Sequence, residues 1–223
     1  MSESSVLQIA RPKPRDLYVE PKLVTYGAIK RVLDFFGALG FLILFLPVYI
    51  GIALLVKFTS KGPMFYKSER IGLGGKPFAF IKFRSMYVDA DRRLAELMCD
   101  NEKDGPIFKM KNDPRITPVG RILRKYSLDE LPQFLHVLKG EMSLVGPRPP
   151  LRREVEMYDE YSMRRLSVKP GITCYWQVMG RSNLSFEEWM ALDNRYVDEM
   201  SFWNDVKLLV KTPLAVLRGQ GAY

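Results

Sequence analysis

An apolar run from Phe35 to Val56 reads FFGALGFLILFLPVYIGIALLV and carries no charge. About 20 such residues suffice to cross the hydrocarbon of a bilayer as a helix, so the run places the chain in a membrane. Pro47 lies inside it; with no backbone N–H and a ring that clashes with the carbonyl of Ile43, it predicts a bend. Both flanks are basic, with Lys30 and Arg31 before the run and Lys57 and Lys61 after it. A spanning helix would export one of these flanks, whereas a hairpin that enters and leaves by one face exports neither. From the pattern alone, a kinked spanning helix and a re-entrant hairpin both stay open.

Further on, Pro63 to Tyr66 and Phe78 to Phe83 read as short strands joined by a turn at Gly72, Gly74 and Gly75. From Val88 to Glu102, charges alternate with Leu94, Leu97 and Met98 at helical spacing. Thr117-Pro118 is a helix start, with a capping hydroxyl and proline at the first helical position. Ser127 to Glu130 has the S-x-x-E form of a capping box, followed by Leu131, Phe134, Leu135 and Leu138 at helical spacing. Pro132 would cost a bond in the second turn, which moves the regular helix towards Leu131. Phe202 to Leu217 sets Trp203, Leu208, Leu209, Leu214 and Leu217 among Lys207 and Lys211, which reads as an amphipathic helix against headgroups, or as a plain core helix, with a bend at Pro213. Residues 1 to 29 show little periodicity and read as a mobile basic tail.

At 223 residues the chain has room for one domain besides the membrane segment. Its 34 Lys+Arg against 25 Asp+Glu give a net charge of +9, which suits lipid headgroups or phosphorylated substrates and ranks nucleic acid last. Two cysteines, Cys99 and Cys174, exclude a disulfide framework and fit a reducing cytoplasm. The single histidine, His136, excludes a histidine-built zinc site and reads as a helix residue rather than a triad member.

The chemistry gathers late in the chain. Asp129 and Glu130 fall at a helix start, where the dipole favours bound phosphate. Adjacent helical residues point apart, so the two carboxylates suit separate jobs; taken alone, the motif reads first as a plain cap. Pro149 pushes Arg148 towards extended backbone, on a stiff loop that serves either as a phosphate clamp or as a turn. Lys169 to Thr173 and Gly180-Arg181 bracket Tyr175 and Trp176, which are core residues or a stacking surface.

Several of these words occur together, in order, in one family. With Lys30-Arg31 and Asp34, the run broken at Pro47, Lys82-Phe83-Arg84-Ser85-Met86, SLDELPQ at 127–133, GEMSLVGPRP at 140–149 and KPGIT at 169–173, the chain resembles the bacterial sugar transferases known as monotopic phosphoglycosyl transferases. The resemblance implies an α+β, mainly helical fold: a re-entrant membrane helix-break-helix over residues 30–57 and a cytoplasmic catalytic domain over 58–223. That domain would carry interfacial amphipathic helices and a short β-hairpin. It also implies an enzyme of the bacterial inner membrane that moves a sugar 1-phosphate from a UDP-sugar to a polyprenyl phosphate, releasing UMP and requiring Mg²⁺. By the same resemblance Asp129 is the nucleophile and Glu130, with Asp129, holds the metal. Arg124, Arg148, Arg181, Lys82 and Arg84 become phosphate contacts, and Asp193 matches an acidic position of unassigned role. Thr173 to Arg181 departs from the family's commoner wording and points to glucose or galactose rather than an acetamido sugar. A homodimer stays open. The reading from a different class is a non-catalytic basic membrane adaptor, which leaves the carboxylate pair beside arginine-bearing loops without a reason.

Overall fold

A computed structural model describes residues 21–102, 104–219 and 221; most of the expected tail, residues 1–20, lies outside them. The apolar run forms two helices, α1 (Pro21–Leu44) and α2 (Leu46–Thr59), bent by 64° at Phe45. Pro47 falls in the first turn of α2, where its missing N–H leaves no intrahelical bond unmade. Among the described residues no single helix is long and apolar enough to cross a membrane, whereas the bent pair qualifies together.

The start of α1 at Pro21 corrects the expected boundary, since the tail does not run to residue 29. The cause is tertiary. Tyr26, Lys30, Asp34 and Ala38 recur every four residues and form one stripe facing the domain. The Tyr26 hydroxyl donates to Asp205 at 2.9 Å, and Lys30 forms an ion pair with the same carboxylate. Asp34 accepts from the Leu144 amide at 2.9 Å and the Ser143 hydroxyl at 3.1 Å. The outer face is apolar and exposed, with Phe36, Ile43 and Leu44 on α1 and Leu46, Ile50 and Phe58 on α2.

β1 (Phe65–Ile71) and β2 (Pro77–Phe83) form the antiparallel hairpin, its first strand running further than the sequence indicated. α3 (Ala90–Leu97) covers only the front of the expected helix. After α4 (Pro118–Lys125) and α5 (Phe134–Lys139), a second pair of strands, β3 (Ser143–Val145) and β4 (Gly171–Thr173), lies parallel. A Cβ on Gly171 would lie 2.1 Å from the Gly146 nitrogen, so only glycine permits this approach. Short helices α6 (Arg152–Val155), α7 (Glu160–Met163) and α8 (Tyr175–Met179) lead into α9 (Phe186–Glu199) and α10 (Phe202–Arg218). The last keeps helical assignment through Pro213 and exposes Trp203, Val210, Leu214 and Leu217.

The core is a set of small clusters rather than one mass. One of them joins Ile52 and Val56 of α2 to Phe83, Leu123 and Leu131, and the Tyr49 hydroxyl donates to the Leu131 carbonyl. The helix pair thus props up, from below, the segment that carries the two carboxylates.

Candidate active site

Thr117 caps α4 as its sequence indicated, accepting the Gly120 amide at 2.9 Å. The expected capping box at Ser127 does not form. Ser127 takes a left-handed backbone, φ +52°, and its side chain caps nothing. Leu128–Gln133 is a 3₁₀ turn, and regular helix begins only at Phe134. Pro132 is the physical reason, because it cannot donate the α-helical bond. The tight turn still brings Asp129 and Glu130 to one pocket, lined also by Lys82, Lys109, Arg124, Ser127, Arg148 and Arg181.

Each cation arrives from a different element. Lys82 comes from β2, with its ammonium 5.5 Å from the Tyr66 ring on the neighbouring strand. Arg124 sits in the last turn of α4. Arg148 donates to Glu130 Oε1 at 2.7 Å and lies 5.8 Å from the Trp176 ring centroid. Lys109, from the loop before α4, lies 5.9 Å from the same ring. Trp176 itself is buried and stacked on Trp189 at 4.9 Å. Tyr175 is buried too, its hydroxyl donating to Glu199 at 2.5 Å. The aromatic pair is therefore core, with Trp176 also a platform for two cations.

The two carboxylates are pushed in opposite directions. Burial drives Asp129 above the ordinary carboxylate range, with Lys82 opposing. Burial acts on Glu130 too, but the charge and hydrogen bond of Arg148, with Lys82, hold it below that range. Adjacent carboxyls separated in this way suit different roles. Burial and the neighbouring arginines lower Lys109 to about 7, and burial brings Lys82 to about 8.

Among the described residues no group of three His, Cys, Asp or Glu side chains could hold a metal alone. Two carboxylates, one already tied to Arg148, match the donor set of a Mg²⁺ ion that arrives with phosphate oxygens and water.

The structure brings Lys82, Arg124, Arg148 and Arg181 together with Asp129 and Glu130, but not Arg84 or Asp193. Arg84 donates to the Pro63 carbonyl at 2.6 Å and the Ser60 carbonyl at 2.9 Å, tying down the end of α2. Asp193 is fully buried in an ion pair with Arg165 at 2.7 Å; burial pushes it up to about 6, with Arg165 opposing. Arg165 donates to the Arg148 carbonyl at 2.6 Å, so Asp193 lies behind the site. His136 is buried in α5, accepting the Ile81 amide at 2.9 Å. Sequence reasoning missed Lys109, since no local motif sets it apart from the exposed Lys111. It also missed Arg165, which only the fold places behind Arg148. A cleft of about 510 Å³ adjoins the pocket and shares Lys82, Lys109, Arg124, Arg148 and Trp176 with it; Tyr66, Arg70, Arg84, Phe108 and Arg115 also line it.

Comparison with known proteins places this geometry. Residues 25–219 match the family described as bacterial sugar transferase. The chain is 46% identical over 194 residues to galactosyl transferase CpsE of Streptococcus agalactiae, covering 86% of this chain and 43% of that one. It is 42% identical to the exopolysaccharide production protein ExoY of Rhizobium meliloti, over 88% of this chain and 89% of that one. With the undecaprenyl-phosphate galactose phosphotransferase of Salmonella typhimurium it shares 44% identity, over 87% of this chain and 42% of the relative. The chain thus spans less than half of two of these relatives and nearly all of the third. It belongs to the bacterial sugar transferase family.

Proposed function

We propose that the chain transfers a sugar 1-phosphate from a UDP-sugar to a polyprenyl phosphate at the cytoplasmic face of the membrane, releasing UMP. The observation that carries this reading is the pocket itself: two carboxylates of opposite perturbation, ringed by five cationic side chains, beside a cleft wide enough for a nucleotide sugar. Lys82, Lys109 and Arg124, shared by pocket and cleft, receive the donor diphosphate. An Asp129 carboxylate oxygen attacks the sugar-bearing phosphorus; the bond to the UMP oxygen breaks, and UMP departs with the electron pair. Lys82 and Arg124 stabilise the ionised carboxylate that burial disfavours. Glu130, with Asp129, would hold a Mg²⁺ ion, whose charge offsets that developing on the leaving phosphate. A phosphate oxygen of the lipid then attacks the same phosphorus, the bond to Asp129 breaks, and the carboxylate is restored.

Galactose is the donor sugar supported by the names of two relatives, and the exopolysaccharide relative supports a role in starting a surface glycan. The bent helix pair, basic at both ends, supports a re-entrant anchor, the exposed face of α10 lying along the headgroups. Incubation with a panel of UDP-sugars, Mg²⁺ and undecaprenyl phosphate should release UMP with UDP-galactose or UDP-glucose. Initial rates with both substrates varied should give parallel lines. Intersecting lines with no trapped adduct on Asp129 would replace this scheme with direct transfer. Single cysteines at the two ends of the helix pair should label from the same side, and labelling from opposite sides would mean a spanning anchor.

A further inference from the structure

The pocket around the carboxylates has two ends. Lys82, Lys109, Arg124 and Arg148 belong both to it and to the wide cleft, whereas Ser127, Gln177, Arg181 and Gly221, like Asp129 and Glu130, line the pocket alone and mark its far end. At that end Arg181 is 3% exposed. Its Nε reaches the Gln177 carbonyl at 3.4 Å, and its Nη2 is buried with no acceptor among the described residues. A buried donor left unsatisfied keeps its full desolvation penalty, the more so when it is charged. Glu130, the nearest acidic partner by charge, already gives Oε1 to Arg148.

Backbone strain gathers at the same place. Arg181 and Ser127 are the only described non-glycine residues with positive φ, both at +52°, a strained conformation for a residue with a side chain. Both line the pocket and are linked through Gln177, whose amide donates to the Ser127 hydroxyl at 3.4 Å and whose carbonyl accepts from Arg181 Nε at 3.4 Å. Such strain is tolerated where the side chain must face a ligand. The far end is also fastened to the end of α10, since the Ser182 amide donates to the Gly221 carbonyl at 3.3 Å. That helix carries the exposed apolar residues Val210, Leu214 and Leu217, a surface suited to lipid.

We propose that Arg181 and Ser127 bind the phosphate of the lipid acceptor, so that donor and acceptor enter the pocket from opposite ends. The inference rests on the function proposed above and assigns Arg181 to the second step alone. There a lipid phosphate oxygen forms a bond to the phosphorus on Asp129, the bond to Asp129 breaks, and no redox partner is consumed.

The two half-reactions separate the possibilities. The parent protein with UDP-galactose and Mg²⁺, without acceptor, should release one equivalent of UMP and hold the phosphosugar. Undecaprenyl phosphate in detergent micelles should then discharge it, while phosphatidylglycerol micelles or inorganic phosphate leave it intact. Arg181→Ala should form the adduct within about twofold of the parent rate and discharge it at least about 100-fold more slowly. Arg181→Lys, which keeps charge but loses the planar fork, should slow discharge about tenfold, and it carries the test alone if the alanine variant does not fold. Equal slowing of both steps in a folded variant, unimpaired discharge, or discharge by the control micelles would overturn the assignment. Absence of any adduct in the parent would instead overturn the covalent scheme beneath it.

Discussion

Buried charge is handled differently in the scaffold and in the pocket. In the scaffold it is matched: Lys30 with Asp205, Arg165 with Asp193, and Asp34 with the Leu144 amide and Ser143 hydroxyl. In the pocket five cationic side chains surround two carboxylates. Matched pairs fix how the helix pair and α9–α10 sit on the domain. An excess of positive charge in a shaped pocket instead awaits an anion, and its repulsion weakens the empty fold. The same residue types therefore stabilise in one region and, on the proposed function, serve a ligand in the other.

The sharpest break of this contrast is Asp129→Asn. The amide keeps the shape and loses the proposed nucleophile, so UMP release should fall by at least about a thousandfold, roughly 4 kcal/mol of barrier. The fold should hold, because the change removes a carboxylate that burial already disfavours. Substantial UMP release from the purified, folded variant would sink the covalent assignment.

Asp205→Ala tests the other region. Asp205 accepts from Tyr26 at 2.9 Å and Tyr196 at 2.9 Å and pairs with Lys30. Its loss leaves a buried ammonium alone, at a cost of about 3–5 kcal/mol. For a chain of this size that lowers the melting temperature by on the order of 10 °C. The protein that stays folded should turn over within a few fold of the parent. A loss of turnover with unchanged melting would place Asp205 in the chemistry and erase the contrast.

How much of this was legible follows the same division. The break near Pro47, the cap at Thr117 and the carboxylates of SLDELPQ are local, and local chemistry announces them. Arg148 was visible because prolines flank it. The scaffold's pairs were not, since Lys30 meets Asp205 and Arg165 meets Asp193 only after the chain has folded. The same limit hid the early part of α1, where Tyr26 and Lys30 meet Asp205. Ser127 misled because S-x-x-E has the form of a capping box, while Pro132 enforces a 3₁₀ turn. Arg84 misled in another way: it stands two residues from Lys82, so strand alternation puts both on one face and both line the wide cleft. Its guanidinium is nevertheless taken up by the Pro63 and Ser60 carbonyls, which no local pattern announces.

The smallest effect should come from Lys109, where the contrast becomes a crossing of two pH profiles. Lys109 faces Arg124, Arg148, Lys82 and Glu130 across the pocket, and burial with the two arginines lowers its pKa to about 7. Its charge is therefore lost as pH rises through about 7, and kcat/KM for the UDP-sugar should decline several-fold there, ahead of a second decline near 8 from Lys82. Stability should move the other way. In the unfolded chain the same lysine stays protonated to about 10.4, so between these values the unfolded state binds more protons and stability rises with pH. Lys109→Arg, charged throughout, should remove the decline near 7 and leave the one near 8. Lys109→Met should flatten part of the rise in melting temperature over the same interval. If Lys109→Arg keeps the parent profile, the cation that greets the donor is another one, and the surplus in the pocket has been assigned to the wrong side chain.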